Sequence, residues 1–222
     1  MTVRLITHMG TDLTVVNAAR VSFDKESDWD SIPFGGKVDG YLSAKDEKLI
    51  EYLAKHNHWT PFGHCFAQFR IKAPIFVSRQ LIKHQVGLVW NEISRRYVDH
   101  EPDHWKPDYW RARAEDKKQG SSDEGVDNQA RLNYVYEDAV RHARDAYNML
   151  LKSGVCPEQA RSVLPQSINT EWYWSGSLAA FARVCQLRMS DDAQKETREI
   201  ATAIHKEMQQ LFPISWRALC GI

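Results

Sequence analysis

Between Phe66 and Ala73 the chain alternates: Ala67, Phe69, Ile71 and Ala73 against Gln68, Arg70 and Lys72. Side chains two apart share one face of a strand, so this period demands a strand with one face on a core and the other towards water. Pro74 follows at once. A proline suits the first turn of a helix, here predicted to run to about Gln85, where Gly87 breaks it. Residues 3–9 and 94–98 read as further short strands. Ser43-Ala44-Lys45-Asp46 has the form of a capping box, and the helix after it carries Leu49, Ile50 and Leu53 on one face.

From about residue 129 the pattern turns helical. Leu132, Val135, Ala139, Ala143, Ala146 and Leu150 recur at three- and four-residue steps, and Gly154 ends the run. Pro157 opens a short helix, residues 177–188 form another, and Ser190 or Asp191 caps a last long one burying Ala193, Thr197, Ile200, Ala201, Ile204, Met208 and Leu211. Trp172 and Trp174 read as core. Residues 100–128 are polar, with Pro102, Pro107 and a Gly-Ser-Ser-Asp-Glu-Gly stretch at 120–125, and are expected to form an exposed, partly mobile insertion. The class is α+β, with strands in the first half and helices dominating the second.

A chain of 222 residues with 43% hydrophobic and 26% charged residues has enough apolar surface for a sizeable core. Its 29 basic residues cancel 29 acidic ones, which argues against a surface built to coat nucleic acid. No apolar run approaches the roughly 20 residues needed to span a bilayer, and the first residues are too weakly apolar for a signal peptide. Cys65, Cys156, Cys185 and Cys220 form no C-x-x-C pair, so a cytoplasmic protein with reduced thiols is expected. His100-Glu101-Pro102-Asp103-His104 has the letters of a zinc-protease motif. That motif needs a helix, and Pro102 disfavours one, so the segment is expected to be a solvated polar loop and no metal site is assigned. Phosphate-loop, Rossmann and serine-elbow motifs are absent. Cys156, before Pro157 at a probable helix start, is more simply a buried structural cysteine than a nucleophile.

One stretch is dense in chemistry. The predicted helix pairs Arg79 with Lys83 and Gln80 with His84 at i, i+4. Glu92, Ser94 and Arg96 then alternate, and would share one face if extended. A cationic helix end meeting a strand with a carboxylate, a hydroxyl and a guanidinium suits a bulky anion with hydrogen-bonding edges, such as a nucleotide.

Lys83-His84-Gln85 followed by Asn91-Glu92-Ile93-Ser94-Arg95-Arg96-Tyr97 resembles the signature of the flavin-dependent thymidylate synthases: Arg-His-Arg, a spacer, then Asn-Glu-x-Ser-x-Arg-Tyr. Ala18-Ala19-Arg20-Val21-Ser22 resembles that family's N-terminal block, and His58-Trp59-Thr60-Pro61-Phe62-Gly63-His64 its H-x-T-P-F-x-H block. Phe69 to Gln80 is similar to its strand–helix entry, Ala160-Arg161-Ser162-Val163-Leu164-Pro165 to its A-R-x-x-L-P turn, and Leu187-Arg188 with Ala193-Gln194 to its L-R-x-x-x-x-A-Q block. These blocks stand in family order from Ala18 to Gln194, and the resemblance leaves out 24–42 and 100–128.

The resemblance implies a single domain over residues 1–222: a mixed or antiparallel sheet with flanking helices and a helix-rich C-terminal half. It implies reductive methylation of dUMP to dTMP, with methylenetetrahydrofolate as carbon donor and NADPH as reductant through FAD. It also implies a homotetramer with shared active sites, and dUMP and folate as partners, not nucleic acid or a membrane. By position, Gln80, Lys83, Glu92, Ile93, Ser94, Arg95, Arg96, Arg161 and Arg188 should hold dUMP. Arg188 should act catalytically by stabilising negative charge on the pyrimidine. Ser94, an unactivated hydroxyl, is assigned to binding. Ser22, Thr60, Lys83, His84, Gln85, Glu92, Ser177 and Arg183 should line the flavin.

Cysteine-dependent thymidylate synthases use a Pro-Cys-His setting, and this chain has only the reverse, Cys156-Pro157. Departures from the family pattern fall on the flavin side. Lys83 and Gln85 stand where arginines are usual, the spacer after His84 is one residue longer, and Gly63 and Asp192 replace an acidic residue and a histidine. Arg183 stands where a histidine or asparagine is usual and restores a charge. A dUMP hydroxymethylase and a non-catalytic nucleotide- or nucleic-acid-binding module stay open as alternatives.

Overall fold

The computed structural model of the protein describes residues 1–30, 40–115 and 121–221. Residues 116–120 of the predicted insertion, with the Gly120 that begins its glycine–serine stretch, lie outside the described residues. In chain order the elements are β1 (Thr2–Met9), α1 (Asp12–Arg20), α2 (Ala44–Lys55), β2 (Phe66–Pro74), α3 (Ile75–Leu81) and β3 (Leu88–Glu92). The hairpin of β4 (Arg111–Arg113) and β5 (Ser121–Gly125) follows. Then come α4 (Gln129–Lys152), α5 (Pro157–Ala160), β6 (Asn169–Ser177), α6 (Leu178–Arg188), α7 (Lys195–Leu211) and α8 (Pro213–Cys220).

The main sheet runs β1-β2-β6-β3, antiparallel throughout. The alternation in β2 does what its period requires: Ala67, Phe69, Ile71 and Ala73 are buried. Opposite them β6, a strand not among those expected, places Trp174 against Phe69 and Trp172 against Ile71. Both indoles are fully buried, in the core as expected. Trp90 of β3 stacks on Trp172 at 4.4 Å, and Phe181 of α6 meets the edges of Phe69 and Trp174. Each such aromatic is worth about 3–5 kcal/mol against alanine. Val15 and Val16 of α1, Ile50 and Leu53 of α2, Ile204 and Met208 of α7, and Trp216 of α8 belong to the same core. No helix among the described residues is long and apolar enough to cross a membrane.

Several expectations are corrected. The helix after Pro74 stops at Leu81, because the chain must reverse in time for Leu88 to pair with Gly176. Residues 94–98 are a turn closed by the Tyr97 and Val98 amides donating to the Ser94 carbonyl, at 3.0 and 3.2 Å. The third strand lies earlier, at Leu88–Glu92. In α4 the inward residues are Val140 and Tyr147, while Val135 and Ala139 are exposed: the aromatic stripe, with more area to bury, rolls the helix away from the predicted face. Gln194, not Ser190 or Asp191, precedes α7, and α8 follows it. The zinc-protease look-alike is, as expected, a non-helical polar loop with His100, Glu101 and Asp103 exposed, though its charges find partners. Glu101 pairs with Arg144, Asp103 with Lys72, and His104 with Glu137 at 2.9 Å. The backbone of this segment also joins the sheet end: Asn169 N–H donates to the Asp103 carbonyl at 2.9 Å and Trp105 N–H to that of Ser167 at 2.8 Å.

The two chain ends are tied by one carboxylate. Asp12, 3% exposed, accepts from the amides of Ile214 (3.0 Å) and Ser215 (2.8 Å), capping α8 from two hundred residues away. Asp12→Ala leaves both donors buried without an acceptor and should cost about 2 kcal/mol, with Asp12→Asn costing less. Urea unfolding with an unchanged m-value is the measurement, and an alanine variant as stable as the parent would contradict it.

Candidate active site

The C-terminal end of α3 and the turn after it meet the outward side of α6. Gly87 sits at φ +76°, where a glycine is needed, and a side-chain carbon there would lie 3.1 Å from Ala180 Cβ. Gly176 is equally constrained, since any Cβ would fall 2.4 Å from Leu88. This close approach holds the 82–87 turn on α6. Arg183 Nη2 donates to the Val86 carbonyl at 2.8 Å. Arg188 donates through Nε to His84 Nε2 at 2.9 Å and through Nη2 to the Gln80 carbonyl at 3.4 Å. Ser177 is buried and its hydroxyl accepts from the Ala180 amide at 3.2 Å, capping α6. Burial, then the Arg188 and Arg183 charges, push the His84 pKa below its ordinary 6.5. A neutral imidazole accepting at Nε2 carries its proton on Nδ1, so Arg188 leans on an acceptor and keeps its full charge.

The Gln80 side chain is held from α7. Its amide nitrogen donates to the Gln194 side-chain oxygen, and its own oxygen accepts from Thr197 Oγ1 at 3.2 Å. Lys83 and Gln85 lie on the turn and are exposed.

A second group lies at the far end of β3. Glu92 accepts from Trp90 Nε1 at 3.1 Å and from the buried Thr170 hydroxyl at 2.5 Å. Beyond it, the turn replaces the shared strand face predicted for Glu92, Ser94 and Arg96. Ser94 Oγ accepts from the Arg96 amide at 3.3 Å, and Arg95 donates to the His100 carbonyl at 2.5 Å. Arg96 pairs with Glu158 at 3.1 Å, and Arg161 donates to the Glu158 carbonyl at 3.3 Å. Glu92, Ile93, Arg95 and Arg161 line one cavity of about 350 Å³. Arg79 and Gln166 line it too. Neither was assigned there from sequence, although the charge and exposure of Arg79 mark it out.

Ser22 and Thr60 fall elsewhere, in a cavity of about 800 Å³ that also carries Arg20, Lys45, Lys48 and His58. Thus Gln80, His84, Ser177, Arg183 and Arg188 form one cluster, Glu92, Ile93, Arg95 and Arg161 a second adjoined by Arg96, and Ser22 with Thr60 a third. The thiols offer no rival chemistry inside the core. Burial pushes Cys65 up to about 12 and Cys185 higher still. Cys156, expected to be buried, is exposed before α5.

The model of the thymidylate synthase complementing protein family matches residues 4–214. A flavin-dependent thymidylate synthase of Thermus thermophilus is 36% identical over 216 residues, covering 97% of this chain and 74% of the relative. One from Kosmotoga olearia is 34% identical over 220 residues, covering 97% and 88%. Among solved structures, the UMP/dUMP methylase PolB from Streptomyces cacaoi bound with 5-Br dUMP superposes with a TM-score of 0.84 at 27% identity, covering all of this chain and 95% of that one. With the family match running nearly end to end, over an antiparallel sheet that gathers arginines around a neutral histidine, the chain belongs to the thymidylate synthase complementing protein family, that of the flavin-dependent thymidylate synthases.

Proposed function

We propose that the protein methylates dUMP to dTMP, taking the carbon from methylenetetrahydrofolate and reducing power from NADPH by way of FAD. The observation that carries the reading is Arg188 held against neutral His84. Two acceptors fix its guanidinium without neutralising it, which is the preorganised charge that a uracil ring needs where negative charge develops. Arg161, with Arg95 in the same cavity and Arg96 beside it, suits the phosphate, since a guanidinium fork matches its oxygens. Glu92 and Gln80 supply hydrogen-bonding edges, and Ser94 binds without acting as a nucleophile.

The residues present fit a flavin dinucleotide. Lys45 and Lys48 around Ser22 and Thr60 match a diphosphate, with Arg20 beside them held by Asp46, and Lys83, His84, Gln85 and Arg183 with buried Ser177 flank the turn by Arg188. When bound, FAD supplies the hydride that reduces the transferred carbon. The chain's own groups bind, orient and polarise. The spread of these residues over separate cavities, with Tyr134, Val135 and Met149 exposed along α4, supports a homotetramer whose copies share active sites. The four scattered cysteines, with no C-x-x-C pair, support a cytoplasmic location.

Purified protein supplied with dUMP, methylenetetrahydrofolate, FAD and NADPH should form dTMP, and deuterated reductant should leave label in the new methyl group. A hydroxymethyl product, or no flavin absorbance after FAD is added, would overturn the assignment. Arg188→Ala should lower turnover by about a hundredfold or more with the fold intact by circular dichroism. Light scattering should give the mass of four copies, and full activity from a monomer would refute shared sites. His84 should titrate below 6.5 by nuclear magnetic resonance. Because its folded pKa is depressed, the stability linked to it is present above 6.5 and lost as pH falls through the folded value. Arg188→Ala should raise the midpoint, and a midpoint above 6.5 in the parent would contradict the arrangement.

A further inference from the structure

The orientation of the Gln80 carboxamide is dictated from the segment read as an insertion. Arg111 of β4 pairs with Glu196 of α7 at 2.7 Å, and both side chains are largely buried, 15% and 7% exposed. Glu196 Oε2 also accepts from Gln194 Nε2 at 2.8 Å. A carboxylate beside a guanidinium is ionised and only accepts, so Gln194 must turn its NH2 towards Glu196 and its oxygen the other way. That oxygen meets Gln80, which must then present NH2 to Gln194 and its own oxygen to the Thr197 hydroxyl. Each amide orientation is forced by the one before it. Gln80 is left with one N–H and one lone pair unused, on a residue whose backbone carbonyl touches Arg188.

We infer that Arg111, Glu196 and Gln194 are positioning residues that set the protein's preference for uracil over cytosine by fixing which way the Gln80 amide faces. Uracil offers a carbonyl at C4 and an N–H at N3, which pair with an N–H and an oxygen. Cytosine offers an NH2 at C4 and a bare N3, which pair with the same amide rotated by half a turn. Locking the amide therefore accepts one base and leaves buried polar groups unpaired against the other. The inference rests on the proposed contact between Gln80 and dUMP.

The test is calorimetric binding of dUMP and dCMP to the FAD-loaded protein, with thermal unfolding alongside. Glu196→Gln can donate as well as accept, and Gln194→Met removes the link while leaving the Arg111–Glu196 pair. Either should shrink the dUMP-to-dCMP affinity ratio by about tenfold or more. For Gln194→Met the unfolding midpoint should hold. Arg111→Lys keeps a cation on Glu196 and should retain most of the ratio. An unchanged ratio in both Glu196→Gln and Gln194→Met overturns the relay if Gln80→Ala lowers it. If Gln80→Ala leaves dUMP affinity and the ratio unchanged, the substrate role of Gln80 itself falls, and the relay with it. Loss of the ratio only in step with a lower unfolding midpoint would mark a structural role and also overturn the proposal.

Discussion

Strand β6 pairs with β2 on one side and β3 on the other, and the candidate site hangs from that double pairing. It carries Trp172 and Trp174 into the core and then thins to Gly176, where Leu88 and the Gly87 carbonyl press against the backbone. That contact lays the 82–87 turn on α6. A side chain at 176 would push the turn away, and Arg183 and Arg188 would lose the carbonyls and the imidazole that hold them. Apolar packing within the sheet thus sets the position of the charges outside it.

The charges are arranged to stay charged. In a chain with no net charge, Arg79, Arg95 and Arg161 line the candidate cavity and Arg183 and Arg188 the turn; Arg95, Arg161, Arg183 and Arg188 are held by carbonyl oxygens and a neutral ring, while Arg96 beside them pairs with Glu158. A carboxylate beside Arg188 would cancel its field, whereas neutral His84 orients it without doing so, which is what the proposed reaction asks of it. Arg111 is treated in the opposite way. Its partner is buried Glu196, and the pair acts on neighbouring amides rather than on a ligand.

Much of this was legible along the chain. The period of two in β2 and the Ser43 cap are local, and they appear where the pattern puts them, whereas the polar run from Arg79 to Arg96 folds with a shorter helix and a turn in place of its second strand. The same period was present in β6, where Thr170, Trp172, Trp174 and Gly176 alternate with Glu171, Tyr173 and Ser175, but aromatic Tyr173 on the outer face and weakly apolar Thr170 and Gly176 on the inner one blur it. The α4 face was harder. Two apolar stripes run along that helix, and contacts from the distant 99–110 segment, Trp105 and Trp110 on Tyr136 and the Asp99 carbonyl on Tyr147, favour the aromatic one.

Residue order by itself determined the class of fold, the family resemblance and the identity of the groups able to bind a nucleotide, because these follow from periodicity and from motifs a few residues long. Tertiary structure decided where α3 stops, that residues 94–98 turn back on themselves, that His84 is neutral, and that Arg111 reaches the Gln80 network through Glu196, 85 residues further along the chain. Those outcomes depend on burial and on contacts between distant segments, and neither quantity exists until the chain has packed.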